Sequence, residues 1–151
     1  MKEIAQKTIL LVEDNEDDEL LTVLAFKENN ILNEVHVAKD GAEALDYLFG
    51  TGKYTGREHA ELPTLILLDL KLPKIDGLDV LKRLRADERT KLIPVVILTT
   101  SAEEQDLLSG YSLGCNSYIR KPVEMAKFTE AIRQVGLYWL VLNKCPEQPA
   151  K

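Results

Sequence analysis

Five short runs of Val, Ile and Leu, each followed by a stretch with helical periodicity, constrain this chain more than any other feature. The runs occupy residues 9–12, 35–38, 65–68, 95–98 and, more weakly, Tyr118-Ile119. The first, third and fourth are apolar without alternation, which suits strands buried on both faces of a parallel sheet. The intervening segments carry helix signals. Asn15 precedes an acidic first turn, Glu16-Asp17-Asp18, which complements the positive end of a helix dipole. Leu20, Leu21, Leu24 and Ala25 then form the expected buried stripe. Asp40 with Glu43, and Ser101 with Glu104, have the spacing of capping boxes. Leu78, Leu81 and Leu84 supply the third stripe, and Leu107, Leu108 and Tyr111 the fourth. A last helix over 124–143 turns Met125, Phe128, Ile132 and Val135 inward. Five strand–helix units with right-handed crossovers predict an α/β, doubly wound five-stranded parallel sheet with helices on both faces. The expected strand order is 2-1-3-4-5, with the ligand crevice at the switch point between strands 1 and 3.

The length of 151 residues fits one domain. Expected boundaries are an N-terminal extension over 1–7, the domain over 8–143 with a long polar loop at 50–63, and a tail over 144–151. The mix of 45% apolar and 29% charged residues is that of a globular chain rather than a disordered one. A net charge of −6 argues against nucleic acid as a partner, which calls for a basic face. No run approaches the roughly 18 apolar residues of a membrane span, and no secretory signal opens the chain. Cys115 and Cys145 lie outside any metal-ligand spacing and are expected as free thiols, which places the protein in the cytoplasm. His36 is expected as a structural residue of strand 2, and His59 as a solvated loop residue. The glycines at 50, 52 and 56 fit neither a dinucleotide fingerprint nor a P-loop.

The chemistry sits where strands end. Strand 1 ends in Glu13-Asp14, strand 3 in Asp69, strand 4 in Thr99-Thr100-Ser101 and strand 5 in Arg120-Lys121-Pro122. Parallel strands deliver all of these to one edge. Converging carboxylates repel unless a cation joins them or one takes a proton. With hard oxygen donors at a water-accessible site, Mg²⁺ is the expected ion. Lys121 adds a fixed positive charge and Thr99 a hydrogen-bond donor, which together suit a phosphoryl group. Asp69 is the expected nucleophile for an acyl phosphate. Taken singly, Asp69 is more often a turn former, Glu13-Asp14 a helix start and Lys121 a solvated lysine. Their convergence at four strand ends carries the assignment.

These residues resemble those of response-regulator receiver domains over nearly the whole chain. The matching motifs are Leu10-Leu11-Val12-Glu13-Asp14-Asn15, Leu68-Asp69-Leu70-Lys71-Leu72-Pro73 with Asp76-Gly77, Ile97-Leu98-Thr99, and Tyr118-Ile119-Arg120-Lys121-Pro122. The resemblance implies a flavodoxin-like fold and a phosphoacceptor signalling protein rather than an enzyme. Asp69 would accept phosphate from a histidine kinase. Glu13, Asp14, Asp69 and the Lys71 backbone carbonyl would bind Mg²⁺, for which Mn²⁺ or Ca²⁺ substitutes. Thr99 and Lys121 would hold the phosphoryl group, and the Lys121–Pro122 peptide would be cis. Thr99 and Tyr118 would form the switch that remodels the surface of helix 4, strand 5 and helix 5. Lys71, Thr100 and Ser101 vary within the family and would set rates, and Glu13 stands where many members carry Asp.

The loop at 50–63 and the segment Gly136-Leu137-Tyr138-Trp139-Leu140-Val141-Leu142-Asn143 further resemble the single-domain regulators that partner bacterial phytochromes. The kinase would then be a red-light sensor. From Leu137 to Leu142 the last helix is apolar on every side and needs cover. A homodimer through helix 5 and its neighbours is expected, against burial of that end under the domain's own loops. No output module is expected after the receiver, so the output is expected to be protein contact: with an effector, with another phosphotransfer protein in a relay, or with the kinase as a phosphate sink. Two other functions compete: a phosphate-independent adaptor, and a phosphatase of the haloacid dehalogenase type. The latter uses a second Asp two residues after the nucleophile, where this chain has Lys71.

Overall fold

The computed structural model describes residues 8–31, 33–57, 60–121 and 124–144. Strands β1 (Thr8–Val12), β2 (Glu34–Ala38), β3 (Leu65–Leu68), β4 (Val95–Thr99) and β5 (Ser117–Arg120) form one sheet in the order β2-β1-β3-β4-β5. All neighbours run parallel. The helices are α1 (Glu16–Glu28), α2 (Gly41–Phe49), α3 (Gly77–Ala86), α4 (Glu104–Ser112) and α5 (Met125–Gly136). Fold class, strand order and strand positions agree with the sequence reading.

Successive strand residues point to opposite faces, so the sheet divides the core in two. Leu10, Val12, Ile66, Leu68, Val95 and Ile97 face Leu45 and Leu48 of α2 and Val80, Leu81 and Leu84 of α3. Ile9, Leu11, Leu65, Leu67, Val96 and Leu98 face Ala25 and Phe26 of α1 and Phe128, Ile132 and Val135 of α5. Strands β1, β3 and β4 bury nearly every side chain, which is why their sequences show no alternation.

Several helix expectations need correction. In α1 the residues turned inward are Thr22, Ala25 and Phe26, whereas Leu20 and Leu24 are exposed. Six of the seven residues from Leu20 to Phe26 are apolar, with Thr22 the exception, and give no single stripe. The core takes the face that carries Phe26, and Thr22 satisfies its hydroxyl on the Asp18 carbonyl at 2.8 Å. In α4 the expected Leu108 and Tyr111 are exposed, and Gly110 is the residue that meets the sheet. Ser101 does not cap that helix: its N-cap is Glu103, and the Ser101 hydroxyl goes to Asp106 instead. Asp40 does cap α2, accepting from the Glu43 amide at 2.7 Å, but Glu43 reaches back to the Lys39 amide rather than closing a reciprocal box. Asn15 caps α1 through the Asp18 amide at 2.9 Å.

The last helix does not continue as an α-helix to residue 143. Beyond Gly136 it widens into a π-helical turn, Leu137–Leu142. Trp139 and Leu140 pack on the core, whereas Leu137, Tyr138, Val141 and Leu142 are exposed, so the domain itself covers only part of this apolar end. The side chain of Met125 lies outside the described residues, as do Cys145, His59, the segments 1–7 and 145–151, and the Pro122 of the expected cis peptide. Cys115 is a buried free thiol. No helix among the described residues is long and apolar enough to cross a membrane.

The long loop is fastened by an aromatic cluster. It contains a short 3₁₀ turn, Gly52–Tyr54. The Tyr54 hydroxyl donates to Glu43 at 2.7 Å and lies 2.9 Å from His36 Nε2. His36 stacks on Tyr47 at 4.0 Å, and the Arg57 guanidinium covers the Tyr47 ring at 4.1 Å. His36 is thus a structural residue of β2, as expected.

Candidate functional site

Strands β1, β3, β4 and β5 end together, and their parallel register carries five side chains to one edge. Asp69 follows β3 directly, and its amide donates to the Val12 carbonyl at 3.1 Å, fixing it beside Glu13. Gly77 begins α3 against this turn. A Cβ there would collide with the Asp69 carbonyl oxygen, so only glycine lets the helix start so close to Asp69. The Lys121 amide donates to the Thr99 carbonyl at 2.7 Å, setting the lysine at the end of β5.

Glu13, Asp69, Thr99 and Lys121 are buried, whereas Asp14 is exposed. The Lys121 ammonium sits at 2.5 Å from Glu13 Oε1, 2.8 Å from Asp18 Oδ2 and 3.3 Å from Asp69 Oδ2. Burial pushes the Glu13 carboxyl up to about 7; Lys121 opposes that push and the Asp69 charge adds to it. Burial also pulls on the Lys121 ammonium, but the bonds to Asp18 and Glu13 and the field of Asp69 outweigh it and keep the lysine charged. The second Asp69 oxygen accepts from the Lys71 amide at 3.3 Å. Thr99 Oγ1 accepts from the Ser101 amide at 3.2 Å.

Glu13, Asp14 and Asp69 each offer an oxygen within 4.8 Å of the others. The donors are carboxylates alone, the chemistry of a hard divalent cation that completes its shell with water. Glu13 and Asp69 are both buried here with Asp14 beside them, and the Lys121 ammonium is shared among Glu13, Asp69 and Asp18. The residues therefore fit a divalent ion.

Tyr118 lies on β5 with its ring against Gly110 of α4; a Cβ on Gly110 would come within 3.2 Å of the ring. Its hydroxyl is buried near Ser101 without a hydrogen bond of good geometry among the described residues, and burial pushes its pKa up. The ring is only partly buried. All the predicted site residues thus lie at or next to one edge. Two participants were not foreseen. Asp18 reaches Lys121 from the first turn of α1, a position that had read only as helix-dipole charge. Asp106 reaches Ser101 Oγ at 2.6 Å and Lys71 Nζ at 3.4 Å from α4. Asp106 also lines a cavity of about 530 Å³ with Asp14, Lys71, Leu72, Pro73 and Asp76.

A five-stranded 2-1-3-4-5 sheet with an acidic cluster, a threonine and a lysine at its carboxyl edge defines a receiver. The chain belongs to the response regulator receiver domain family, whose model matches residues 9–133, and its activity is phosphorylation-dependent two-component signalling. Among curated relatives it is 38% identical to the response regulator Rcp1 of Synechocystis sp. over 134 residues, 89% of each chain. It is 40% identical to the probable methanogenesis regulatory protein FilR2 of Methanothrix harundinacea, over 91% of this chain and 86% of the relative. Its fold superposes with a TM-score of 0.87 on the phosphorylated cyanobacterial phytochrome response regulator RcpA, at 39% identity over 95% of this chain and all of the other. The Mn²⁺-bound form of Rcp1 matches with a TM-score of 0.85, at 37% identity over 93% and 99% of the two chains.

Proposed function

We propose that Asp69 is the phosphoacceptor and that a histidine kinase, specifically a phytochrome, is the donor. The observation that supports this most is the sharing of one buried ammonium, Lys121, among Glu13, Asp18 and Asp69 at the strand edge. In the transfer, an Asp69 carboxylate oxygen attacks phosphorus and the phosphohistidine P–N bond breaks. The electron pair remains on the imidazole nitrogen, which is left neutral or takes a proton from solvent. Glu13, Asp14, Asp69 and the Lys71 carbonyl are the residues to hold Mg²⁺, with Mn²⁺ able to replace it. Bound there, the ion would supply charge neutralisation for the incoming phosphoryl group. Thr99 donates its hydroxyl to one phosphoryl oxygen and Lys121 its ammonium to another. Tyr118, with its buried hydroxyl beside α4, responds to movement of Thr99.

The phytochrome assignment is supported by the likeness to Rcp1 and RcpA across nearly the whole chain. We further read the protein as a cytoplasmic signalling protein without turnover of exogenous substrates, whose unit is residues 8–143. Its output is protein contact, and the exposed Leu137, Tyr138, Val141 and Leu142 at the end of α5 support a homodimer. Intact-mass measurement after incubation with acetyl phosphate tests the acceptor. A single phosphoryl adduct is expected with Mg²⁺, absent with EDTA and absent in Asp69→Asn. An adduct that survives in Asp69→Asn refutes the assignment, and so does its complete absence in the wild type with both acetyl phosphate and the kinase.

A further inference from the structure

A feature of the cavity beside Asp69 has no counterpart in the acceptor chemistry itself. Of the residues lining it, Lys71 is the cation, set among Asp14, Asp76 and Asp106. A phosphodonor is anionic, so this lysine is the group in the cavity wall that attracts it. Yet its ammonium is held by Asp106 at 3.4 Å, and that carboxylate raises the lysine's pKa. Asp106 is itself held: the Ser101 hydroxyl donates to the same oxygen, Oδ2, at 2.6 Å. Ser101 follows Thr99 by two residues, as Lys71 follows Asp69, and both send backbone amides to those side chains at 3.2 and 3.3 Å. One α4 carboxylate therefore ties together the two segments that flank the acceptor. The Asp106 side chain is 14% exposed and Lys71 59%, so the carboxylate is the fixed partner and the lysine the mobile one.

We propose that Asp106 is a positioning residue that holds Lys71 away from Asp69, and that a phosphoryl group on Asp69 competes with it for the lysine. This rests on Asp69 being the acceptor. An aspartyl phosphate brings more negative charge than one carboxylate. It therefore draws Lys71 from Asp106 and leaves the α4 carboxylate with Ser101 alone. The contact that limits access to the acceptor in the resting protein is then the one that reports its modification to α4.

The test is a double-mutant cycle between Asp106→Asn and Lys71→Ala, read as the rate of labelling by acetyl phosphate with Mg²⁺ and the lifetime of the adduct. Asp106→Asn frees the lysine, so labelling is expected to quicken and the adduct to persist, each by about two- to fivefold, the range that an exposed ion pair of this kind carries. In the Lys71→Ala background the same substitution is expected to change neither. Asp106→Glu should restore wild-type rates. Ser101→Ala, which loosens the carboxylate without removing it, should act in the same direction but less, and also only with Lys71 present; it serves if Asp106→Asn proves unstable. Equal effects of Asp106→Asn with and without Lys71 overturn the proposal, because they reduce Asp106 to a general negative charge near the mouth. No effect in either background overturns it as well. A wild type that takes no phosphoryl group at Asp69 instead overturns the acceptor assignment, and the gate with it.

Discussion

Replacing Glu13 by Gln should make the metal-free protein more stable at alkaline pH, although the residue is placed to serve the site. Glu13 is 2% exposed, and burial lifts its carboxyl from 4.5 to about 7. In the unfolded chain the group ionises near its ordinary value. Each pH step between the two values removes about 1.4 kcal/mol from folding. Over the interval from 4.5 to about 7 the loss comes to about 3 kcal/mol. A raised folded-state pKa contributes stability that is complete below pH 4.5 and gone above pH 7. Gln matches the volume of the protonated acid and does not titrate, so the stability difference should move in the variant's favour as the pH rises from 4.5 to 8, by on the order of a few kcal/mol. Urea denaturation in EDTA at pH 5, 6, 7 and 8 gives the curve directly. Divalent metal should then reverse the order at pH 8, because the wild type gains the ion and the variant binds it weakly. A stability gap that does not change with pH, or a variant weaker than the wild type at pH 8 in EDTA, refutes the account of Glu13 as a carboxylate under-compensated by Lys121.

Three further outcomes follow from contacts elsewhere. Arg85 donates to the carbonyls of Gly114, Lys91 and Ile93 at 2.9–3.0 Å and to the Asn116 side chain at 3.0 Å. Arg85→Leu strands these acceptors and should lower the unfolding free energy by about 3 kcal/mol, seen as a lower urea midpoint at an unchanged slope. Burial holds the His36 imidazole below 6.5, so the stability it supports is present above pH 6.5 and lost as the pH falls below it. His36→Gln should flatten that part of the pH–stability curve between pH 7.5 and 5, and an unchanged slope would show that the Tyr47–Tyr54 cluster does not sense the proton. Gly77→Ala drives a methyl into the Asp69 carbonyl and should destabilise by about 2 kcal/mol or more. It should also slow labelling by acetyl phosphate.

The sheet was legible because residues buried on both faces leave a signature that needs no partner to interpret: an unbroken run of Val, Ile and Leu. The acidic edge was legible for a related reason, since parallel strands oblige their C-terminal residues to meet. Helix faces were less so. The apolar residues of α1 surround it, and nothing local says that Phe26 rather than Leu20 and Leu24 turns inward. In α4 the contact with the sheet is made by Gly110, whose lack of a side chain leaves room for Tyr118, and no apolar stripe marks such a contact. Asp18 matters through Lys121, 103 positions away; Arg85 through Lys91 and Ile93, 6 and 8 away, and Gly114 and Asn116, 29 and 31 away; and Asp106 through Ser101 and Lys71, 5 and 35 away. Asp18 had a sufficient local reading as helix-dipole charge, and nothing local in the sequence marks Arg85 or Asp106. Ser101 shows the same competition in miniature, because its hydroxyl chooses a carboxylate over the helix end that its spacing suggests.

The arrangement of charge at the edge explains why a receiver of this kind gains from a buried lysine with three carboxylate partners rather than one. A lysine paired with Asp69 alone would neutralise the nucleophile and have no partner to retain when phosphate arrives. Here Glu13 is the nearest neighbour at 2.5 Å and Asp18 the next at 2.8 Å, with Asp69 the most distant at 3.3 Å. Asp69, the proposed acceptor, therefore has the longest of the three contacts with the ammonium, which suits the role of nucleophile proposed for it. If Glu13 and Asp69 turn to a divalent cation, Asp18 remains as the lysine's anchor from α1, and the ammonium keeps its position with capacity for a phosphoryl oxygen. On the opposite side Lys71 has the complementary design, an exposed cation on a single partner that a stronger anion can displace. One lysine is over-determined so that it stays in place, and the other is under-determined so that it can move.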